Sequence, residues 1–138
     1  MRVVIDTNVF ISGIYFGGEP RKVLDLIQEK GITPCFILST FIEFKRLLYH
    51  KKFDKQRGLL SFSIDDFLNK LKSYSLIFPQ PSKIPKIIKE DLADNHILTC
   101  ALIGRVSFII TGNKHLLKVR RFQDIFILTP REFLKKLK

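Results

Sequence analysis

The chain has 138 residues, 46% of them apolar and 27% charged, so it has the length of one ordinary domain and too few residues for two. The apolar content excludes disorder as the overall state, and no apolar run approaches the roughly 18 residues of a membrane span. The net charge of +11 favours a polyanionic partner, with nucleic acid first and an anionic membrane surface second, against the alternative of a lysine-rich surface of the thermophile kind.

Short apolar runs alternate with longer amphipathic ones, which is typical of an α/β domain with a parallel sheet. In chain order, the pattern predicts a strand over 2–6, a helix over 20–30, a strand over 34–38, a helix over 40–50, one or two helices within 54–73, a strand over 75–78, a helix over 94–104, strands over 106–110 and 125–128, and a final helix. Gly31 predicts the end of the first helix, Ser63 predicts a helix start, and Thr129 with Pro130 opens the last helix.

The location of the protein follows from two features of the sequence. The carboxylate of Asp6 stands where a signal peptide would still be apolar, so secretion is not expected. Cys35 and Cys100 lie within apolar stretches, and we expect buried free thiols in a reducing compartment. The prediction is therefore a cytoplasmic protein with no membrane among its partners.

Several of the few acidic residues fall at junctions between predicted strands and helices. Asp6 ends the first strand, Glu43 lies in the first turn of a helix, Asp91 and Asp94 open another helix, and Asn113 follows the fourth strand. Because the carboxyl ends of parallel strands share one edge of a sheet, these five residues could meet in one cleft. Their oxygen atoms favour a hard cation such as Mg²⁺ or Mn²⁺, and a carboxylate cluster that holds one can support phosphoryl transfer.

Structural alternatives remain open for these residues. Thr40 and Glu43 fit a capping box, in which Glu43 binds only the backbone of Thr40. Asp91 and Asp94 fit the acidic first turn of a helix, and Asn113 fits a simple turn.

Five segments in order resemble the PIN-domain family over residues 2–134. They are Val-Ile-Asp-Thr-Asn-Val-Phe-Ile-Ser at 4–12, Ser-Thr-Phe-Ile-Glu at 39–43, Asp-Leu-Ala-Asp-Asn at 91–95, Val-Ser-Phe-Ile-Ile-Thr-Gly-Asn-Lys-His-Leu-Leu at 106–117 and Leu-Thr-Pro-Arg-Glu-Phe-Leu at 128–134. The last segment resembles one subgroup, the toxin components of bacterial and archaeal toxin–antitoxin pairs.

The resemblance implies a single PIN-like domain over 1–138, folded as a three-layer α/β/α sandwich around a central, mainly parallel sheet of four or five strands. It implies a metal-dependent endoribonuclease that hydrolyses RNA with a metal-activated water and one or two Mg²⁺ or Mn²⁺ ions, leaving a 5′-phosphate and a 3′-hydroxyl. It also implies an antitoxin partner, and homodimers are common in the family.

The same resemblance assigns roles to single residues. Asp6 is the expected central metal ligand, Glu43 and Asp94 are expected to bind metal or orient its water, and Asp91 and Asn113 are expected to support a second metal position. The residues expected to hold these acids by hydrogen bonds are Thr7, Asn8 and Thr111, for which plain turn chemistry is the alternative.

The sequence departs from the subgroup at two positions. Asn113 and His115 stand where the subgroup usually has Asp, and both differences remove negative charge. They motivate an alternative function, a catalytically weak PIN domain that binds RNA or a partner protein. A basic nucleic-acid-binding module without metal and a DNA nuclease are the remaining alternatives.

Basic residues follow two of the site-bearing segments. The residues expected to bind RNA are Lys45, Arg46, Lys51, Lys52, Lys114 and Lys118. Such a surface would hold phosphates on either side of the scissile one. Tyr49 and Phe53 lie among the first group, where they either stack on bases or belong to the core.

Overall fold

The sheet has six strands in the part of the chain that the computed structural model describes, residues 1–88 and 92–137. The strands are β1 (Arg2–Ile5), β2 (Thr33–Ile37), β3 (Leu76–Phe78), β4 (Phe108–Ile110), β5 (Arg121–Phe122) and β6 (Ile125–Leu128). Their order is β3-β2-β1-β4-β6-β5, and all neighbours are parallel except β5 and β6. The predicted α/β class is confirmed, and the two-residue strand β5 adds an edge to the four or five strands expected.

The helices of the described residues are α1 (Thr7–Tyr15), α2 (Gly18–Glu29), α3 (Leu38–Leu48), α4 (Asp54–Gly58), α5 (Ile64–Tyr74), α6 (Leu92–Gly104), α7 (Lys114–Val119) and α8 (Pro130–Lys136), with a 3₁₀ turn at Lys51–Phe53. Gly31 follows α2 at a φ of 66°, which confirms the predicted stop. The Ser63 hydroxyl accepts the Asp66 N–H at the predicted start of α5. Among these helices, none is long and apolar enough to cross a membrane.

Apolar side chains of the sheet alternate between two cores. Val3 and Ile5 pack on one face with α1, α2, α3, α5 and α8, whereas Val4 packs on the other face with α6 and α7. The sheet is therefore the middle of three layers, as expected for the sandwich.

Helix α1 is absent from the predicted elements, because its sequence lacks amphipathic periodicity. Five of its nine residues are buried, and their side chains cover more than half of the helix circumference, so no narrow apolar stripe marks the helix. Gly13 lets α2 approach closely, since a Cβ at this position would lie 2.7 Å from the Leu24 side chain and 3.0 Å from the Pro20 backbone. The short α7 is likewise a helix that the pattern did not predict.

Helix α3 begins two residues before the predicted start, which changes the meaning of Glu43. The Thr40 hydroxyl accepts the backbone N–H of Ile37 at 3.1 Å and donates to the carbonyl of the same residue at 2.9 Å. Thr40 is thus inside the first turn and is not the residue that caps it. The capping-box interpretation of Glu43 is wrong.

The two cysteines are buried free thiols, as predicted. They lie close together in the core shared with α6, where the Cys100 thiol donates to the carbonyl of Cys35 at 3.4 Å. Burial raises the pKa of Cys100 to about 12, so this thiol stays protonated at neutral pH.

Candidate active site at the carboxyl edge of the sheet

The candidate site lies where β1 and β4 end side by side at the centre of the sheet. Asp6 follows β1 directly, and its N–H donates to the carbonyl of Ile110 at 2.9 Å, the last residue of β4. The chain leaves β1 towards β2 on one side and reaches β4 on the other. In a parallel sheet this reversal opens a crevice at the carboxyl ends of the two strands, where ligands bind.

A chain of three hydrogen bonds joins the acids of this crevice. The Thr111 hydroxyl donates to Oδ2 of Asp6 at 2.7 Å and accepts the Asn113 backbone N–H at 2.9 Å. The Asn113 side-chain amide donates to Oδ1 of Asp94 at 3.1 Å. The ends of β1 and β4 and the start of α6 therefore bring two carboxylates that are far apart in sequence into one network.

The acids of this network are largely withdrawn from solvent. Asp6 is 8% exposed, Asp94 is 3% exposed and Thr111 is fully buried. Because burying a carboxylate is unfavourable unless it is hydrogen-bonded or paired, such a cluster is typical of a functional site. Helix α6 also buries Asn95, whose side chain accepts the N–H groups of Ile87 and Ile88 and so fastens the preceding segment to the helix.

Asn113 has a fixed orientation in the structure. It caps α7, and its side-chain oxygen accepts the His115 backbone N–H at 2.8 Å. This bond leaves the amide nitrogen facing Asp94, a contact that a carboxylate at position 113 could not make. Asn113 thus gives Asp94 a hydrogen bond where an aspartate at position 113 would repel it. His115 is an exposed residue of α7.

Glu43 lies outside this hydrogen-bond network. Its side chain is 50% exposed and forms a bidentate ion pair with Arg46, with a shortest distance of 2.7 Å. Ser39, one helical turn earlier on α3, meets α6 through a 2.8 Å hydrogen bond to Nδ1 of His96. Residues four apart share a helix face, so Glu43 is on the side of α3 that faces α6.

The remaining predicted site residues occupy varied positions. Thr7 and Asn8 form the first turn of α1, with Asn8 exposed. Asp91 lies outside the described residues. Within residues 1–88 and 92–137, no three His, Cys, Asp or Glu side chains are grouped closely enough to hold a metal ion. The six basic residues expected to bind RNA are all exposed.

The link between Ser39 and His96 is a feature of the site that sequence reasoning missed. The sequence pattern gives no role to His96. The usable signal was its position two residues after Asp94, at the start of the helix that carries this acid.

Comparison with known proteins identifies the family. The PIN-domain model matches residues 2–115, which is most of the chain. The chain belongs to the PIN-domain family. An uncharacterized protein of Methanocaldococcus jannaschii is similar to it, with 32% identity over 145 aligned positions that cover 99% of this chain and 91% of the relative. No solved structure gives a significant match.

Membership places the chain among proteins that are generally nucleases, act on RNA and typically use divalent metals. The donors at the crevice suit such an ion, because Asp6, Asp94 and Asn113 offer oxygen atoms and hard cations prefer oxygen ligands. Glu43 or Asp91 would have to supply a third carboxylate.

Proposed function

We propose that this PIN domain is a Mg²⁺- or Mn²⁺-dependent endoribonuclease whose site is centred on Asp6 and Asp94. The observation that carries the proposal is the hydrogen-bonded chain from Asp6 through Thr111 and Asn113 to Asp94, at the crevice between β1 and β4. We further propose that residues 1–138 act as a single domain.

In this proposal the residues of the site have different roles. Asp6 and Asp94 hold the cation, and Thr111 and Asn113 fix the orientation of these carboxylates by hydrogen bonds, as groups around metal ligands commonly do. The chemistry that a bound divalent cation supplies is activation of water and stabilisation of charge on the scissile phosphate. The exposed basic residues at 45–52 and 114–118 bind phosphates on either side of the scissile one.

Glu43 enters the site by exchanging partners. An exposed ion pair such as Glu43–Arg46 contributes about 1 kcal/mol or less, so its loss is easily offset by a cation or by an RNA phosphate that takes over Arg46. Glu43 then turns towards α6 and completes the carboxylate set, while Arg46 joins the basic residues that hold RNA.

A toxin role is the finer part of the proposal. It rests on the closing segment at 128–134, which covers the end of β6 and most of α8 and resembles the toxin subgroup. An acidic antitoxin would complement the net charge of +11. A neighbouring open reading frame that encodes a small acidic protein, and its co-purification with this chain, would support the role.

The second candidate is a PIN domain that binds RNA without cutting it. The specific observation in its favour is Asn113, which is neutral and bonds Asp94 where the subgroup usually has a further acid. Fewer negative ligands weaken cation binding, so this form of the site would bind RNA and turn over slowly or not at all.

One assay distinguishes the two candidates. A circular single-stranded RNA is incubated with the protein in Mn²⁺, in Mg²⁺ and in excess EDTA. The nuclease proposal predicts linear products that carry 5′-phosphates with either metal and none with EDTA, because a circle can be opened only by an internal cut. Equal cleavage in EDTA contradicts the metal-dependent site, and RNA binding without linear products favours the second candidate.

A further inference from the structure

Phe16 is an exposed aromatic residue at the far end of α1 from the crevice. It follows the helix directly, and its side chain is 64% exposed. Single apolar side chains on a surface are ordinary, so the neighbours of Phe16 decide what it means. Its ring meets the ring of Phe53 edge to face, with 6.3 Å between the centroids.

The two rings rest on a rigid base. Phe53 stacks on Tyr15 at a centroid distance of 5.1 Å. The Tyr15 hydroxyl donates to the Leu48 carbonyl at 2.5 Å, and Arg57 donates to the same carbonyl at 2.6 Å. The aromatic surface is therefore formed before any ligand arrives, which lowers the entropy lost on binding.

The surroundings of the two rings are positively charged. The ammonium of Lys52 lies 5.2 Å from the centroid of the Phe53 ring, and Lys51 and Lys55 are exposed on the same short segment. The nearest acid in sequence, Asp54, is already paired with Arg57. The exposed ring of Phe16 contacts the partly buried ring of Phe53 among exposed lysines, and this surface complements a strand of bases and phosphates better than a neutral apolar partner.

The distance from the crevice suits a strand rather than a single nucleotide. Helix α1 starts one residue after Asp6, and its nine residues span about 13 Å. At the rise of about 3.4 Å for stacked nucleotides, this separation corresponds to about four nucleotides.

We propose that Phe16 and Phe53 form a base-stacking platform for single-stranded RNA, about four nucleotides from the site of cleavage. The inference rests on the proposed function, because it takes RNA as the ligand and places cleavage at Asp6. The platform holds a base by its π face, so it acts on RNA of any sequence.

The first test uses the absence of tryptophan from the chain. Phe16→Trp places a sole tryptophan at the platform, and its fluorescence is followed while a ten-nucleotide oligoadenylate is added in EDTA, which prevents cleavage. Stacking predicts quenching that saturates with the binding curve. An abasic oligomer with the same phosphates is predicted to bind without quenching. Emission that saturating oligoadenylate leaves unchanged would overturn the platform.

The second test measures affinity with an alanine variant and a matched control. Phe16→Ala is expected to weaken oligoadenylate binding about five-fold or more and to leave abasic binding unchanged. Leu59→Ala is the control, because Leu59 is 78% exposed and has no ring. Equal losses in both variants would show that the effect does not depend on an aromatic ring and would overturn the platform, as would wild-type affinity in Phe16→Ala.

The two levels of the proposal fail in distinguishable ways. If the wild-type protein does not bind RNA, both the platform and the RNA substrate are wrong. If it binds RNA and only Phe16→Ala weakens binding, but Mn²⁺ gives no cleavage, the platform stands and the nuclease proposal fails. If it cleaves RNA and Phe16→Ala binds normally, the nuclease stands and the platform fails.

Discussion

At the scale of single residues, the site depends on neutral hydrogen-bond donors that orient buried acids. Thr111 binds Asp6 and Asn113 binds Asp94, at 2.7 and 3.1 Å. A neutral donor fixes the direction of a carboxylate without adding a positive charge that would compete with a cation. This is the arrangement expected of groups that position metal ligands.

Thr111→Val is predicted to lower cleavage about ten-fold or more and stability by about 1–3 kcal/mol. Valine matches the shape of threonine but removes the donor to Asp6 and the acceptor for the partly buried Asn113 N–H. Cleavage rate and chemical denaturation measure the two effects.

Thr99→Val is the matched control, because this hydroxyl is also buried and has no hydrogen-bond partner among the described residues. We expect it to leave activity unchanged and stability unchanged or higher. Similar losses in both variants would show that Thr111 has no special part in the site.

Asn113→Asp is predicted to lower the melting temperature of the metal-free protein and to increase its rise in Mn²⁺. The new carboxylate loses the hydrogen bond to Asp94 and repels it, and a bound cation relieves that repulsion. Thermal melts with and without millimolar Mn²⁺ measure both effects. Asn69→Asp is the control, because Asn69 is an exposed residue of α5 and the substitution adds the same charge away from the site. If both variants show the wild-type response to Mn²⁺, Asn113 does not face the metal site.

At the scale of elements, the strands place the site and the helices fix its walls. Short apolar runs that stand directly before Asp6 and Thr111 predict the central strands, because continuous apolar residues are typical of buried parallel strands. The pattern could not predict α1, which is buried around more than half of its circumference and so lacks a narrow apolar stripe. It also could not predict that Glu43 pairs with Arg46, because the spacing of residues in the sequence does not determine which rotamer an exposed side chain adopts.

The amino terminus of α8 illustrates how much a local motif determines. Thr129 and Pro130 predicted this start, and the structure adds the reciprocal bond from the Thr129 N–H to Glu132 at 3.0 Å. The same motif interpretation failed for Thr40 and Glu43, because α3 begins at Leu38. The Thr-x-x-Glu spacing marks the helix start at Thr129, which lies outside α8, and not at Thr40, which lies inside α3.

Glu132→Gln is predicted to lower stability at pH 7 and to have less effect at pH 3. The backbone N–H of Thr129 holds the pKa of Glu132 below its ordinary value of 4.5. A lowered pKa in the folded state stabilises the fold above that ordinary value, and the gain is lost as pH falls through the lowered pKa. Denaturation at both pH values measures the difference, with Glu29→Gln in the last turn of α2 as the control. A pH-independent effect would contradict the cap.

At the scale of the whole molecule, charge is separated between the crevice and its surroundings. Two buried acids lie at the carboxyl edge of the sheet, while the six predicted RNA-binding residues are exposed. Under the proposed function, the net charge of +11 attracts RNA phosphates to the surface around an acidic metal site.

Lys51→Gln with Lys52→Gln is predicted to weaken RNA binding and its dependence on salt. Each lost phosphate contact on a single strand reduces the slope of log affinity against log salt by about 0.7. The slope is measured in EDTA by fluorescence anisotropy. Lys30→Gln at the end of α2 is the control and should keep the wild-type slope. An unchanged slope in the double variant would exclude this segment from the RNA surface.

The most direct test of the account is the rate of RNA cleavage in Mn²⁺ by the wild-type protein and by Asp6→Asn. The substitution keeps the shape of the side chain and removes the negative charge from the proposed central ligand. Circular dichroism establishes that the variant is folded. The account predicts metal-dependent cleavage by the wild-type protein and no detectable cleavage by the folded variant. Equal cleavage by both proteins would contradict it.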